Sequence, residues 1–212
     1  MLKALSDCRL YAFVDTAYLR GRAPELLARQ LCDGGADLIQ LRAKHVPVDT
    51  VRTLAEAILP VTRSAGAGFV LNDHPALAAE LGAEFCHLGQ NDFFGAGHTH
   101  VSQVNPQLRF GLSSAAPEQA QRAVAAGAEY LGVGPVFPTG TKPDAKPVTL
   151  EYVRWAAANL KLPWFAIGGI TLQNLDSVLA AGARAVCVVS AILTAADVAA
   201  ECRKFKERLR NT

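Results

Sequence analysis

Four times along this chain an alanine- and leucine-rich stretch ends in Gly-Ala and a charged residue, and an apolar run follows at once: Gly35-Ala36-Asp37, Gly82-Ala83-Glu84, Gly127-Ala128-Glu129 and Gly182-Ala183-Arg184. Glycine tolerates the left-handed backbone that closes a helix, so each triplet reads as a helix end feeding a strand. Successive triplets lie about two βα units apart, as expected when eight such units close into a barrel of roughly 200 to 250 residues. The chain has 212 residues. The expected fold is therefore α/β, a single (β/α)8 TIM barrel forming one catalytic domain over residues 1–212. An open doubly wound sheet is the runner-up, but its usual Gly-x-Gly-x-x-Gly after the first strand is missing.

The apolar, β-branched runs predict eight strands, at residues 10–14, 38–42, 68–71, 85–87, 108–111, 130–133, 164–167 and 185–188. Helical periodicity covers 23–32, 50–64, 75–81, 117–126, 150–159, 172–180 and 198–209, leaving no clear helix between the fourth and fifth strands. Half of the residues are apolar, enough for a full core. A net charge of +2 with scattered basic residues gives no stripe for nucleic acid. No run of about 18 apolar residues suggests a membrane span. The five cysteines form no Cys-x-x-Cys pair and read as reduced thiols, so a cytoplasmic protein is expected.

In such a barrel the reactive residues belong at the C-terminal ends of the strands. The second strand ends in Gln40-Leu41-Arg42-Ala43-Lys44, whose period of two puts Gln40, Arg42 and Lys44 on one side. Two cations projecting into one mouth would repel unless an anion bridges them. Asn72-Asp73 ends the third strand, His87-Leu88-Gly89-Gln90-Asn91-Asp92 continues the fourth, and Ser113-Ser114 follows the fifth. Asp73 alone would serve as an N-cap of the next helix, yet Asp73 and Asp92 together, facing cations, read as carboxylates holding a hard ion such as Mg2+. His87 reads as a packed strand-end histidine, and His98 and His100 as peripheral. After the sixth strand, Gly132 to Lys142 turns from apolar residues to small residues, hydroxyls and a cation. Thr139, Gly140, Thr141 and Lys142 there suit a phosphate or diphosphate, although the spacing is not that of a P-loop. Gly168-Gly169 after the seventh strand and Val189-Ser190 after the eighth suit a second phosphate.

Taken in order, these motifs closely resemble those of the thiamine phosphate synthase family, over nearly the whole chain. The resemblance implies a barrel that joins hydroxymethylpyrimidine diphosphate to a thiazole phosphate, releasing pyrophosphate. It also implies that residues 40–44, Asn72, Ser113 and Lys142 hold the pyrimidine diphosphate, that Arg42, Lys44 and Lys142 act on the leaving pyrophosphate, and that Asp73 and Asp92 bind Mg2+. Thr139, Gly140, Thr141, Gly169, Val189 and Ser190 would hold the thiazole phosphate. Small-molecule substrates follow, and a homodimer is left open. The chain departs from the pattern at Asn91, where an acid is commoner, and at Pro147-Val148-Thr149-Leu150, where a glycine-leucine lead-in is usual. The first strand, Tyr11 to Thr16, matches loosely. A thiazole tautomerase of the same barrel group is the nearest alternative, but it needs no diphosphate clamp. A non-catalytic phosphate-ligand sensor is the alternative from another class.

Overall fold

The computed structural model describes residues 3–140 and 146–210. Eight parallel strands close into a barrel in chain order: β1 (Leu10–Asp15), β2 (Leu38–Arg42), β3 (Gly68–Asn72), β4 (Phe85–Leu88), β5 (Phe110–Ser114), β6 (Tyr130–Val133), β7 (Trp164–Ile167) and β8 (Val186–Cys187). Closure is visible at Tyr11, which pairs with Leu38 on one side and with Cys187 on the other. The helices are α1 (Pro24–Asp33), α2 (Val48–Ala65), α3 (Pro75–Leu81), α4 (Gln90–Phe93), α5 (Pro117–Ala125), α6 (Thr149–Asn159), α7 (Leu175–Ala180), α8 (Ser190–Leu193) and α9 (Val198–Leu209). Each of the four triplet glycines has a positive φ, 82° at Gly35, 66° at Gly82, 85° at Gly127 and 101° at Gly182. The helix-end grammar is thus a real backbone requirement.

The strand period of two divides the core into layers. Tyr11, Phe13, Gln40 and Arg42 point into the barrel's upper cavity, whereas Ala12, Val14, Ile39 and Leu41 alternate with them and are wholly buried. Inside the barrel three rings interlock edge to face: Tyr11 with Phe165 at 5.3 Å, Tyr130 with Phe165 at 5.7 Å and Tyr11 with Tyr130 at 5.8 Å between centroids.

Three local features differ from the sequence expectation. β5 begins two residues later than expected and runs on to Ser114, because Ser113 and Ser114 pair with Gly132 and Val133 of β6. α7 starts at Leu175 rather than 172, because Asn174 accepts from Thr171 N at 2.8 Å and donates to Gly169 O at 2.8 Å, forming a turn. The fourth unit has only the single turn α4 and a 3-10 turn at Val101–Gln103. All five cysteines are free thiols. Among the described residues no helix is long and apolar enough to cross a membrane.

Candidate active site

The strand ends converge on one solvent-open cavity. Its wall includes Gln40, Arg42 and Lys44 from β2 and the loop after it, Asn72 and Asp73 from β3, Asp92 from α4, Ser113 from β5, Thr139 beyond β6, Gly169 beyond β7, and Val189 and Ser190 beyond β8. Leu41 and Ala43 are buried outside that wall, on the other face of the same run, and Gly140 is exposed outside it. Thr141 and Lys142 lie outside the described residues.

The two cations from β2 do not simply repel. Arg42 pairs with Asp15 at 2.8 Å, and Asp15, fully buried at the end of β1, also accepts from Ala17 N at 2.9 Å. Lys44 pairs with Asp73. Each cation is therefore aimed by a carboxylate before any ligand arrives, so an anion is not needed to keep them in one mouth.

Asp73 does not cap α3. The N-cap there is His74, with no side-chain bond, while Asp73 takes a left-handed φ of 67° and its N–H donates to His87 O at 3.0 Å. Its carboxylate is left at the cavity beside Lys44. Asp92 folds back over Gly89, where a Cβ would lie 2.6 Å from its Oδ2. Glycine thus leaves the carboxylate its space. Two carboxylates on one wall, with room for waters and ligand oxygens, fit the donor set of Mg2+. Among the described residues no group of three or more His, Cys, Asp or Glu side chains comes together as a metal cage.

On the opposite side the loop after β6 is laid across the loop after β7. Val136 N donates to Ile167 O at 2.8 Å and Phe137 N to Gly168 O at 3.1 Å. A Cβ on Gly169 would sit 2.5 Å from Pro138 O, and one on Gly134 would sit 2.0 Å from Ile167 O, so these glycines permit the backbone contact. The contact carries Thr139 to the cavity next to Gly169, Val189 and Ser190.

Several wall residues were not singled out from sequence. Tyr11, Phe13, Phe165, Ile167 and Cys187 line the cavity, yet in sequence they are indistinguishable from core. Asp15 is the more informative omission, since an acid closing an apolar strand could have been matched to Arg42 at the end of the neighbouring strand. His87 is packed, 9% exposed, with Nδ1 3.2 Å from Tyr130 Oη and Nε2 2.9 Å from Ser113 Oγ, and it also forms part of the wall. His100 caps the Val101–Gln103 turn and His98 packs on Phe93 at 5.6 Å, both outside the wall.

Fold and cavity together define a (β/α)8-barrel enzyme acting on small polar molecules. A profile described as thiamine monophosphate synthase matches residues 10–192, and the chain belongs to that family, a group of transferases of thiamine biosynthesis. It is 49% identical to the thiamine-phosphate synthase of Thermus thermophilus over 179 residues, covering 83% of this chain and 84% of that protein. The corresponding protein of Moorella thermoacetica is 40% identical over 199 residues, covering 93% and 94% of the two chains. The solved structure of a thiamine phosphate pyrophosphorylase from Pyrococcus furiosus superposes with a TM-score of 0.87 at 30% identity, covering 98% of each chain.

Proposed function

We propose that the chain acts as one catalytic domain over residues 1–212 and joins 4-amino-2-methyl-5-hydroxymethylpyrimidine diphosphate to a thiazole phosphate by dissociative substitution, giving thiamine monophosphate and pyrophosphate. The observation that carries the reading is the single cavity shared by a charged wall, from Gln40 to Asp92, and an opposed wall of hydroxyls and glycine backbone, from Thr139 to Ser190. Two ligands that must react face to face need two such walls.

In this reading Gln40, Arg42, Lys44, Asn72 and Ser113 take the pyrimidine diphosphate, and Leu41 and Ala43 act through burial, fixing the run that aims their polar neighbours. Thr139, Gly169, Val189 and Ser190 take the thiazole phosphate. Lys142, Thr141 and Gly140 join their respective groups on the family resemblance alone. Asp73 and Asp92 would hold Mg2+, which when bound offsets charge on diphosphate oxygens. A cytoplasmic location belongs to the same reading and rests on the free thiols, and a homodimer rests on the resemblance.

The bond between the pyrimidine methylene and the diphosphate can ionise because the ring's amino group spreads the positive charge. The thiazole nitrogen attacks with a lone pair that bears no proton, so no general base is needed there. What the protein supplies is charge complementarity to the departing pyrophosphate, from Arg42, Lys44 and Lys142, and a site that keeps water from the cation. Arg42 and Lys44 come pre-aimed by Asp15 and Asp73, which reduces reorganisation during the reaction.

The test is pyrophosphate release from the pyrimidine diphosphate, with and without the thiazole phosphate, in magnesium and in chelator. Thiamine monophosphate appearing in step with pyrophosphate, and only with both substrates and the metal, is the expected result. Binding of the thiazole phosphate with no release of pyrophosphate would overturn it in favour of the tautomerase or the sensor.

A further inference from the structure

Five polar side chains form one line through the barrel, and the chemistry above uses only its ends. Gln40 Nε2 donates to the hydroxyl of Tyr11. That hydroxyl lies 2.9 Å from the hydroxyl of Tyr130, which lies 3.2 Å from His87 Nδ1. His87 Nε2 is in turn 2.9 Å from Ser113 Oγ. Gln40 and Ser113 face the cavity, whereas Tyr130 is fully buried and stands outside its wall. The fold reserves space for this ring. A Cβ on Gly111 would fall 2.0 Å from Tyr130 Cζ, so a side chain at that point of β5 would displace it.

Counting hydrogens gives the line a direction. Its first three contacts, Gln40 to Tyr11, Tyr11 to Tyr130 and Tyr130 to His87, need one hydrogen each. The Gln40 amide supplies the first, and each phenol has one to give. Tyr11 therefore donates to Tyr130, and Tyr130 donates to His87 Nδ1. With the Gln40 amide donating to Tyr11, a hydrogen on Nδ1 would leave one phenol hydrogen in the barrel interior without an acceptor, which is costly. With Nδ1 accepting, the imidazole carries its hydrogen on Nε2 and gives it to Ser113 Oγ. The hydroxyl hydrogen of Ser113 is then turned away from His87. Burial pushes both phenols well above their ordinary range, so they keep their hydrogens at working pH.

We infer that Tyr130, together with Tyr11, is a positioning residue that fixes His87 as the Nε2–H tautomer and thereby makes the Ser113 hydroxyl a hydrogen-bond donor to an acceptor atom of the bound ligand. The identity of that ligand, a ring nitrogen of the aminopyrimidine, rests on the function proposed above; the tautomer does not.

The experiment is long-range proton–nitrogen NMR of the full chain labelled with nitrogen-15 histidine, paired with steady-state kinetics. The unsubstituted protein should give the Nε2–H pattern at His87. Tyr130→Phe keeps the ring and removes the hydrogen offered to Nδ1. It should abolish the single tautomer and raise KM for the pyrimidine diphosphate about 5- to 10-fold, the worth of one hydrogen bond, with KM for the thiazole phosphate unchanged. Phe85→Leu is the packing control: Phe85 meets the edge of Tyr130 at 5.7 Å and lies outside the cavity wall, so this variant should lose stability and keep the tautomer. An Nδ1–H pattern in the unsubstituted protein overturns the inference. So does an unchanged tautomer in Tyr130→Phe, or an equal disturbance in Phe85→Leu. The spectrum needs no turnover, so a chain that made no thiamine monophosphate would sink the proposed function and leave this result standing.

Discussion

Thr149 is held at a φ of 62°, a left-handed conformation that a β-branched residue rarely adopts. It opens α6, where its hydroxyl accepts from Glu151 N at 3.3 Å. The resemblance to thiamine phosphate synthases would have put a glycine-leucine lead-in at this point, and the backbone gives the reason. Strain of this kind costs about 1 to 3 kcal/mol, while the exposed 3.3 Å bond from Glu151 N to its hydroxyl offsets only part of that. Thr149→Gly is therefore expected to stabilise the protein by about 1 kcal/mol, raising Tm by about 2 to 4 °C for a chain of this size. Thermal unfolding of the two proteins side by side measures it, and a lower Tm in the variant would refute the strain argument. Asp73 shares the left-handed backbone at 67° but tolerates it better, and there the conformation brings a carboxylate to the cavity. One departure from the family pattern is thus a stability cost, whereas the left-handed Asp73 serves the site.

At the level of elements, the site depends on one loop lying on another. Gly169 has a φ of 64°, and a Cβ there would lie 2.5 Å from Pro138 O and 2.8 Å from Phe137 Cβ. Gly169→Ala must then push the β6 loop, and Thr139 with it, off the β7 loop. The expected result is a rise of about tenfold or more in KM for the thiazole phosphate, with a smaller effect on the pyrimidine diphosphate. Separate titrations of the two substrates would check it, and equal effects on both would argue against opposed walls. This packing was only partly legible in the chain. Gly168-Gly169 announced a phosphate-binding turn, but nothing local said that the stretch from Gly134 to Pro138 would rest on it. The shift of β5 has a similar origin. Ser113 and Ser114 look like the loop after the expected strand until they pair with Gly132 and Val133 of β6. Strand count, order and the strand-end polar residues could be read because period and helix-end glycines are local signals. Partners across the barrel, such as Tyr11 for Tyr130, could not, because only closure brings them together.

The molecule as a whole keeps chemistry and stability at opposite ends. Asp37, just before β2 at the face away from the cavity, is buried and gathers four donors: Lys206 of α9 at 2.5 Å, Lys3 at 2.7 Å, Arg9 N at 2.8 Å and Leu10 N at 3.0 Å. One carboxylate thus joins the start of the chain, β1, β2 and the last helix, the elements whose docking accompanies closure of β8 on β1. Burial pushes its pKa up, but the hydrogen bonds from Lys206, Lys3 and the two backbone amides outweigh that and hold it below the ordinary carboxylate value. A carboxyl with a depressed folded pKa adds stability that is fully present above its unfolded pKa, about 3.9, and is lost as pH falls through the folded value. Acid unfolding should therefore include an Asp37 component below about pH 4. Asp37→Asn keeps the shape, removes the charge and leaves Lys206 without its carboxylate, so a loss of about 2 to 3 kcal/mol is expected at pH 7. Denaturant unfolding from pH 7 down to pH 2 would give both stability curves. The two should converge as acid neutralises Asp37 in the unsubstituted protein, and parallel curves over that range would mean that Asp37 is not the group that ties the barrel's closing elements together.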